Sequence, residues 1–118
     1  MKNLILISFL VAISVQPAMA ASNLDSVVAK SPSAIADVTR DIKQWHNMEH
    51  PSCQMKSVLS ARIKSRDKDT STEIWTVEGC NGKKFQYEVL ILAGPNGRGF
   101  SDSVSNADGS PMHIDKSP

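Results

Sequence analysis

Residues 72–93 read TEIWTVEGCNGKKFQYEVLILA, and their alternation decides the fold. Trp75 and Val77 alternate with Thr76 and Glu78; Phe85, Tyr87, Val89 and Ile91 alternate with Gln86 and Glu88. A period of two in β-branched and aromatic residues, on both sides of an Asn-Gly pair, is the signature of a β-hairpin. Two registers compete. A two-residue Asn81-Gly82 turn sets Trp75 against Glu88 and Val77 against Gln86, mixing apolar and polar side chains on one face. A three-residue loop, Cys80-Asn81-Gly82 with Gly82 in the left-handed position, sets Trp75 against Tyr87 and Val77 against Phe85. A slip of one residue turns every side chain over, so the second register is the expected one.

Upstream of the hairpin, Met55, Leu59, Ala61 and Ile63 share one parity, and Lys56, Ser60, Arg62 and Lys64 the other. That is a half-buried strand with a wet outer face. The polar run Asp67–Ser71 turns it into the hairpin; its mixed-sign neighbours Lys64, Arg66 and Lys68 read as a solvated surface, not a phosphate patch. Antiparallel pairing about this turn brings the start of the first strand to the end of the second, and with it Cys53 to Cys80. Two cysteines in an exported chain read as one disulfide. Closing the 27-residue separation contributes on the order of 3 kcal/mol in the chain-entropy model. A redox pair would sit closer in sequence, as in Cys-x-x-Cys.

Downstream, Gly94-Pro95-Asn96-Gly97-Arg98-Gly99 lacks the Gly-Lys-Ser/Thr ending of a phosphate loop, and Pro95 removes an amide donor. It reads as a hairpin turn into a short fourth strand, Phe100–Val104, at a sheet edge. Residues 105–118 are turn formers with little to bury, and a mobile C-terminal tail is expected.

The N-terminal part has three sections. Residues 1–20, MKNLILISFLVAISVQPAMA, carry Lys2, an apolar run over 4–15, Pro17 and a small-x-small site at Ala18-Met19-Ala20. This is the pattern of a secretory signal peptide, too short in its apolar run for a membrane span. No cysteine follows the site, which argues against a lipid anchor. Residues 21–33 form an N-terminal arm of weak pattern. A helix follows, capped by Ser31 or Ser33 with Pro32 in its first turn. Ile35, Val38, Ile42 and Trp45 make one apolar stripe, while Asp37, Arg40, Asp41 and Lys43 face water. Pro51 disfavours helical geometry just before it, so the helix stops by Glu49. The expected fold is α+β: a single domain over 34–104, in which an N-terminal amphipathic helix packs on an antiparallel meander of three or four strands with one disulfide.

Loss of Lys2 with the signal segment leaves 12 basic against 12 acidic residues. A neutral surface of mixed sign gives no electrostatic basis for nucleic-acid or membrane-surface binding. One motif stands out: His46-Asn47-Met48-Glu49-His50 fits His-x-x-Glu-His, in which two histidines four apart ligate zinc and the glutamate acts as base. Pro51 disturbs the helical geometry that His50 would need, so these are read as surface residues at a frayed helix end. His113, in a polar tail, adds little. No pattern calls for a cofactor.

The run Trp75-x-Val77-x-x-Cys80, a glycine, then Tyr87-x-Val89, with Cys53 before it and Gly97-x-x-Phe100-x-x-x-Val104 after it, covers about half the precursor. It resembles a recurrent pattern in small exported proteobacterial proteins and lipoproteins of unknown function. The chain departs from that pattern in placing Asn81 between cysteine and glycine and in lacking a lipobox. The resemblance implies a helix-plus-antiparallel-sheet domain with one disulfide, and no activity. The function expected is that of a non-enzymatic binding or accessory module, periplasmic or extracellular. Ile74, Leu90 and Leu92, opposite in parity to Trp75 and Tyr87, are its candidate contact face, open to a protein partner, a second copy in a homodimer, or the arm. The alternatives are a small metal-dependent hydrolase using His46, Glu49 and His50, or a secreted inhibitor or effector that docks the 94–99 loop.

Overall fold

The structure is a computed structural model that describes residues 23–94 and 99–113. The expected signal segment, the tip of the Gly94–Gly99 turn and the end of the tail beyond residue 113 lie outside the described residues. Among these the chain forms a helix α1 (Pro32–Glu49) and strands β1 (Ser57–Arg66), β2 (Thr70–Glu78), β3 (Lys84–Ala93) and β4 (Phe100–Asn106). The strands pair antiparallel in chain order as one four-stranded sheet, so the α+β expectation holds. The helix is not the N-terminal layer, however. Leu24 and Val28 precede it and are buried in the same core, with Leu24 bridged in parallel to Ala61 on β1.

The central hairpin takes the expected register, Trp75 opposite Tyr87 and Val77 opposite Phe85. The turn Cys80–Gly82 is closed by Gly79 N–H donating to the Lys83 carbonyl at 2.8 Å. Gly82 is left-handed at φ 71°, and so is Asn81 at φ 55°, a conformation its short polar side chain tolerates. Gly79 is a glycine for a different reason: a Cβ there would lie 2.9 Å from the Phe85 ring and 3.1 Å from the Cys53 carbonyl. Its bare backbone lets Phe85 close over the Cys53–Cys80 disulfide, whose Cα atoms are 4.8 Å apart.

Three expectations shift by a residue or more. First, β1 carries a bulge at Leu59, because Val58 pairs with Val77 while Ser60 already pairs with Thr76. The extra residue reverses parity, so Val58 is buried and Leu59 only half-buried. Second, the helix buries Ala34, Val38, Ile42, His46 and Glu49, while Ile35 and Trp45 lie at the margin of the core. Ser31 is the cap, accepting from the Ala34 N–H. Third, β4 runs to Asn106, and the chain beyond it turns back onto the helix rather than leaving the domain at Ser105. Gly109 N–H donates to the Asn106 carbonyl, and His113 N–H reaches Glu49 at 2.8 Å.

The bulge has a measurable consequence. Val58→Ala should lower stability by about 2 kcal/mol, from two buried methyl groups and the space they leave. Leu59→Ala should cost under about 1 kcal/mol although it removes more atoms. Chemical denaturation of both variants reads the difference, and the reverse ranking would place Leu59 in the core.

Candidate functional site

His46 and Glu49 are not surface residues at a frayed end but the buried centre of a hydrogen-bonded knot at the helix end, with Asn47 and His50 half-buried and Met48 exposed. His46 is fully buried on the inner face of α1, and both ring nitrogens are occupied. Nε2 lies 2.7 Å from the Cys53 carbonyl, which can only accept, so Nε2 carries the proton. Nδ1 therefore accepts from the Tyr87 hydroxyl. The ring is held edge-on by Phe85 at 4.6 Å and lies 4.9 Å from the ring of His50. Burial, chiefly, lowers the His46 pKa below its ordinary 6.5. Burial and the charge of Glu49 raise that of Tyr87, which keeps the phenol protonated as a donor.

Glu49, one turn on, is also buried. It accepts from the Asn106 side-chain amide at 2.7 Å and from the His113 main chain at 2.8 Å. Asn106 in turn accepts from the Trp45 indole at 3.0 Å. His50 caps the helix, its N–H donating to the His46 carbonyl at 2.7 Å. The helix thus ends where Pro51 requires. The three motif residues do not converge on a common point: His46 has no free nitrogen, and His50 Nε2 stands 4.0 Å from Glu49. No group of three or more metal-ligating side chains occurs among the described residues. Beside the knot, Glu49, His50, Phe85, Tyr87, Asp108 and His113 help line an open cleft of about 520 Å³.

Two further carboxyl sites escaped the sequence reading. Glu73 is fully buried and accepts three hydrogen bonds, from Val27 N–H at 2.9 Å, Ser71 Oγ at 2.8 Å and Trp75 Nε1 at 3.0 Å. It is the anchor for the segment ahead of the helix. Asp102 on β4 faces Asp41 on α1, and its carboxyl is pushed up to about 7 by burial first and then by Asp41. The signal for Glu73 was its parity with Trp75 and Val77; polarity hid it.

The candidate contact face resolves unevenly. Ile74 is buried, whereas Leu90 is half-buried and Leu92 is 40 % exposed. Ile74 pairs with Arg62 on one side and Glu88 on the other. The Lys64–Glu88 ion pair, 3.2 Å long, joins β1 to β3 across the intervening β2. Residues 24–28 pack on the opposite, helix-bearing face, and among the described residues no element covers Leu92. Comparison with protein-family models, curated proteins and solved structures finds no match to this chain.

His46 and Asp102 give opposite pH trends. His46 is neutral when folded, so its contribution is whole above pH 6.5 and is lost as pH falls through 6.5 towards its lowered folded value. Asp102 binds its proton more tightly folded, with a pKa of about 7 against 3.8, so stability falls as pH rises across that interval. Asp102→Asn removes the second trend. Its melting temperature should climb more steeply between pH 4 and 7 than that of the parent, and an unchanged slope would show that Asp102 is not protonated in the fold. Separately, Tyr87→Phe leaves His46 Nδ1 buried without a donor and should cost about 1–3 kcal/mol by denaturant titration.

Proposed function

We propose that this chain is a small non-enzymatic binding module of an oxidising, extracytoplasmic compartment. One observation carries the reading. Among the described residues the sheet is covered on one face only, while the side chains best suited to chemistry are bonded within the fold. His46 and Glu73 spend all their polar atoms on internal partners, and Glu49 spends one carboxylate oxygen on two of them. What remains outward is a flat strip at Leu90 and Leu92, flanked by Ser101 and Ser103 on β4 and Thr72 on β2. Such a strip, apolar along its middle and hydroxyl-bearing at its sides, suits a flat protein surface of matching character. The Cys53–Cys80 disulfide supports an oxidising location. No helix among the described residues is long and apolar enough to cross a membrane. The Trp-x-Val-x-x-Cys pattern aligns this proposal with the small exported proteins it resembles.

Leu92→Glu tests the strip without disturbing the core, since exposed substitutions usually stay within about 0.5 kcal/mol. Tagged protein crosslinked in periplasmic extract and in culture supernatant should recover one reproducible protein partner. Recovery should fall about tenfold in Leu92→Glu, a loss of about 1.4 kcal/mol of binding, with the melting temperature nearly unchanged. Equal recovery by both forms, or no partner from either fraction, would overturn the proposal. Ile74 is unsuited to the same test because it is buried.

A further inference from the structure

The sheet has two edges, and the chain treats them differently. At β1 the N-terminal segment closes the edge. Asp25 N–H donates to the Ala61 carbonyl at 3.0 Å, and the Asp25 carboxylate accepts from Ile63 N–H at 3.2 Å. At β4 nothing comparable occurs. Among the described residues, the main chain of Phe100–Ser105 is hydrogen-bonded to β3 alone. An unpaired edge is a template for another strand.

Alongside that edge runs a groove of defined chemistry. Asp102 pairs with buried Ile91 and Val104 with buried Val89, so both lie on the side of the sheet that carries α1. On the helix, Asp41, Trp45 and Met48 follow at spacings of four and three and form the facing wall. These five residues, with Gln44 and Met112, line a cleft of about 290 Å³. Met48 is 50 % exposed there, an apolar side chain without internal cover. The charge is unbalanced as well. Arg40 bonds Asp37 at 3.1 Å and Asp41 at 3.3 Å and also acts on Asp102 through space, so one guanidinium serves three carboxyls, and no described cation lies within ion-pair distance of Asp102. A carboxyl raised to about 7 is one that a nearby cation would ionise and hold.

We propose that α1 and β4 form a docking groove for an extended segment of a partner protein, one carrying a lysine or arginine with apolar side chains two residues to either side. This inference rests on the reading of the chain as a binding module and adds a second, separate surface to it. The segment joins β4 as a fifth strand through main-chain hydrogen bonds, and its alternate side chains enter the groove. The basic side chain meets Asp41 and Asp102; its apolar neighbours meet Trp45, Met48 and Val104. Charge complementarity selects this occupant over a second copy. Antiparallel pairing of two β4 strands brings the two Asp41–Asp102 pairs towards each other, and like charges so placed repel.

The probe is the end-blocked peptide Thr-Val-Thr-Lys-Thr-Val-Thr, with a glutamate-centred counterpart, titrated into the purified disulfide-bonded chain at neutral pH. Amide exchange followed by NMR should show new protection confined to Phe100–Ser105. The lysine peptide should bind about tenfold more tightly than the glutamate peptide. Asp102→Asn should fold normally and abolish most of that preference, and Val104→Pro, which removes an N–H on the side of β4 turned away from β3, should weaken both peptides. Absence of protection at millimolar peptide, or equal affinity for the two peptides, would overturn the proposal. Protection of Phe100–Ser105 that rises with protein concentration alone would overturn it in favour of a second copy. Loss of peptide binding together with retained Leu92-dependent partner capture would remove the groove and leave the binding module standing.

Discussion

The rest of the domain depends on a neutral imidazole held between two hydrogen bonds. Through Nε2, His46 fixes the carbonyl of Cys53, which places the disulfide and the start of β1 against the end of the helix. Through Nδ1 it receives the Tyr87 hydroxyl, which fixes the helix over the centre of β3. Apolar packing of Val38 and Ile42 drives α1 onto the sheet but does not set its rotation. Two directional bonds from one buried ring do. The knot therefore reads as an alignment device, and the zinc-like spacing of its histidine and glutamate follows from helical periodicity.

Two buried carboxylates hold the segments that flank this arrangement. Glu73 receives the main chain at Val27, and Glu49 receives the main chain at His113. Glu73 joins the core to a segment that also buries Leu24 and Val28, and Glu49 joins it to a segment with few apolar residues of its own. A main-chain donor has no rotamers to lose, so a charge-assisted bond to it orders a polar segment at low entropic cost. This is why the chain beyond β4 turns back on the helix despite its composition.

What could be read in the sequence was whatever repeats. The hairpin register followed from Trp75, Val77, Phe85 and Tyr87, because only one pairing keeps the apolar residues on one side. The disulfide followed from antiparallel geometry, and the helix end from Pro51. What stayed hidden broke a pattern or was polar. A bulge inserts one residue, so Leu59 and Val58 exchange places without a local signature. His46, Glu49 and Glu73 occupy inward positions, and hydrophobicity reasoning discards them; their partners Cys53, Asn106 and Val27 lie far away in sequence. Asp41 and Asp102 are separated by the whole meander, so only the fold brings them together.

The two tryptophans, finally, sit in settings that differ in every respect relevant to fluorescence. Trp75 is sealed in the core, with its indole N–H bonded to the carboxylate of Glu73. Trp45 lies at the margin, with its indole N–H bonded to the neutral amide of Asn106. The chain thus carries two tryptophans that report on different places, one on the core and one on the margin between α1 and the end of β4. Iodide or acrylamide reaches Trp45 while Trp75 remains shielded, so the quenchable part of the emission belongs to the α1–β4 side and the unquenched part to the interior. The molecule needs no attached dye for events at its edge to be told apart from melting of its core.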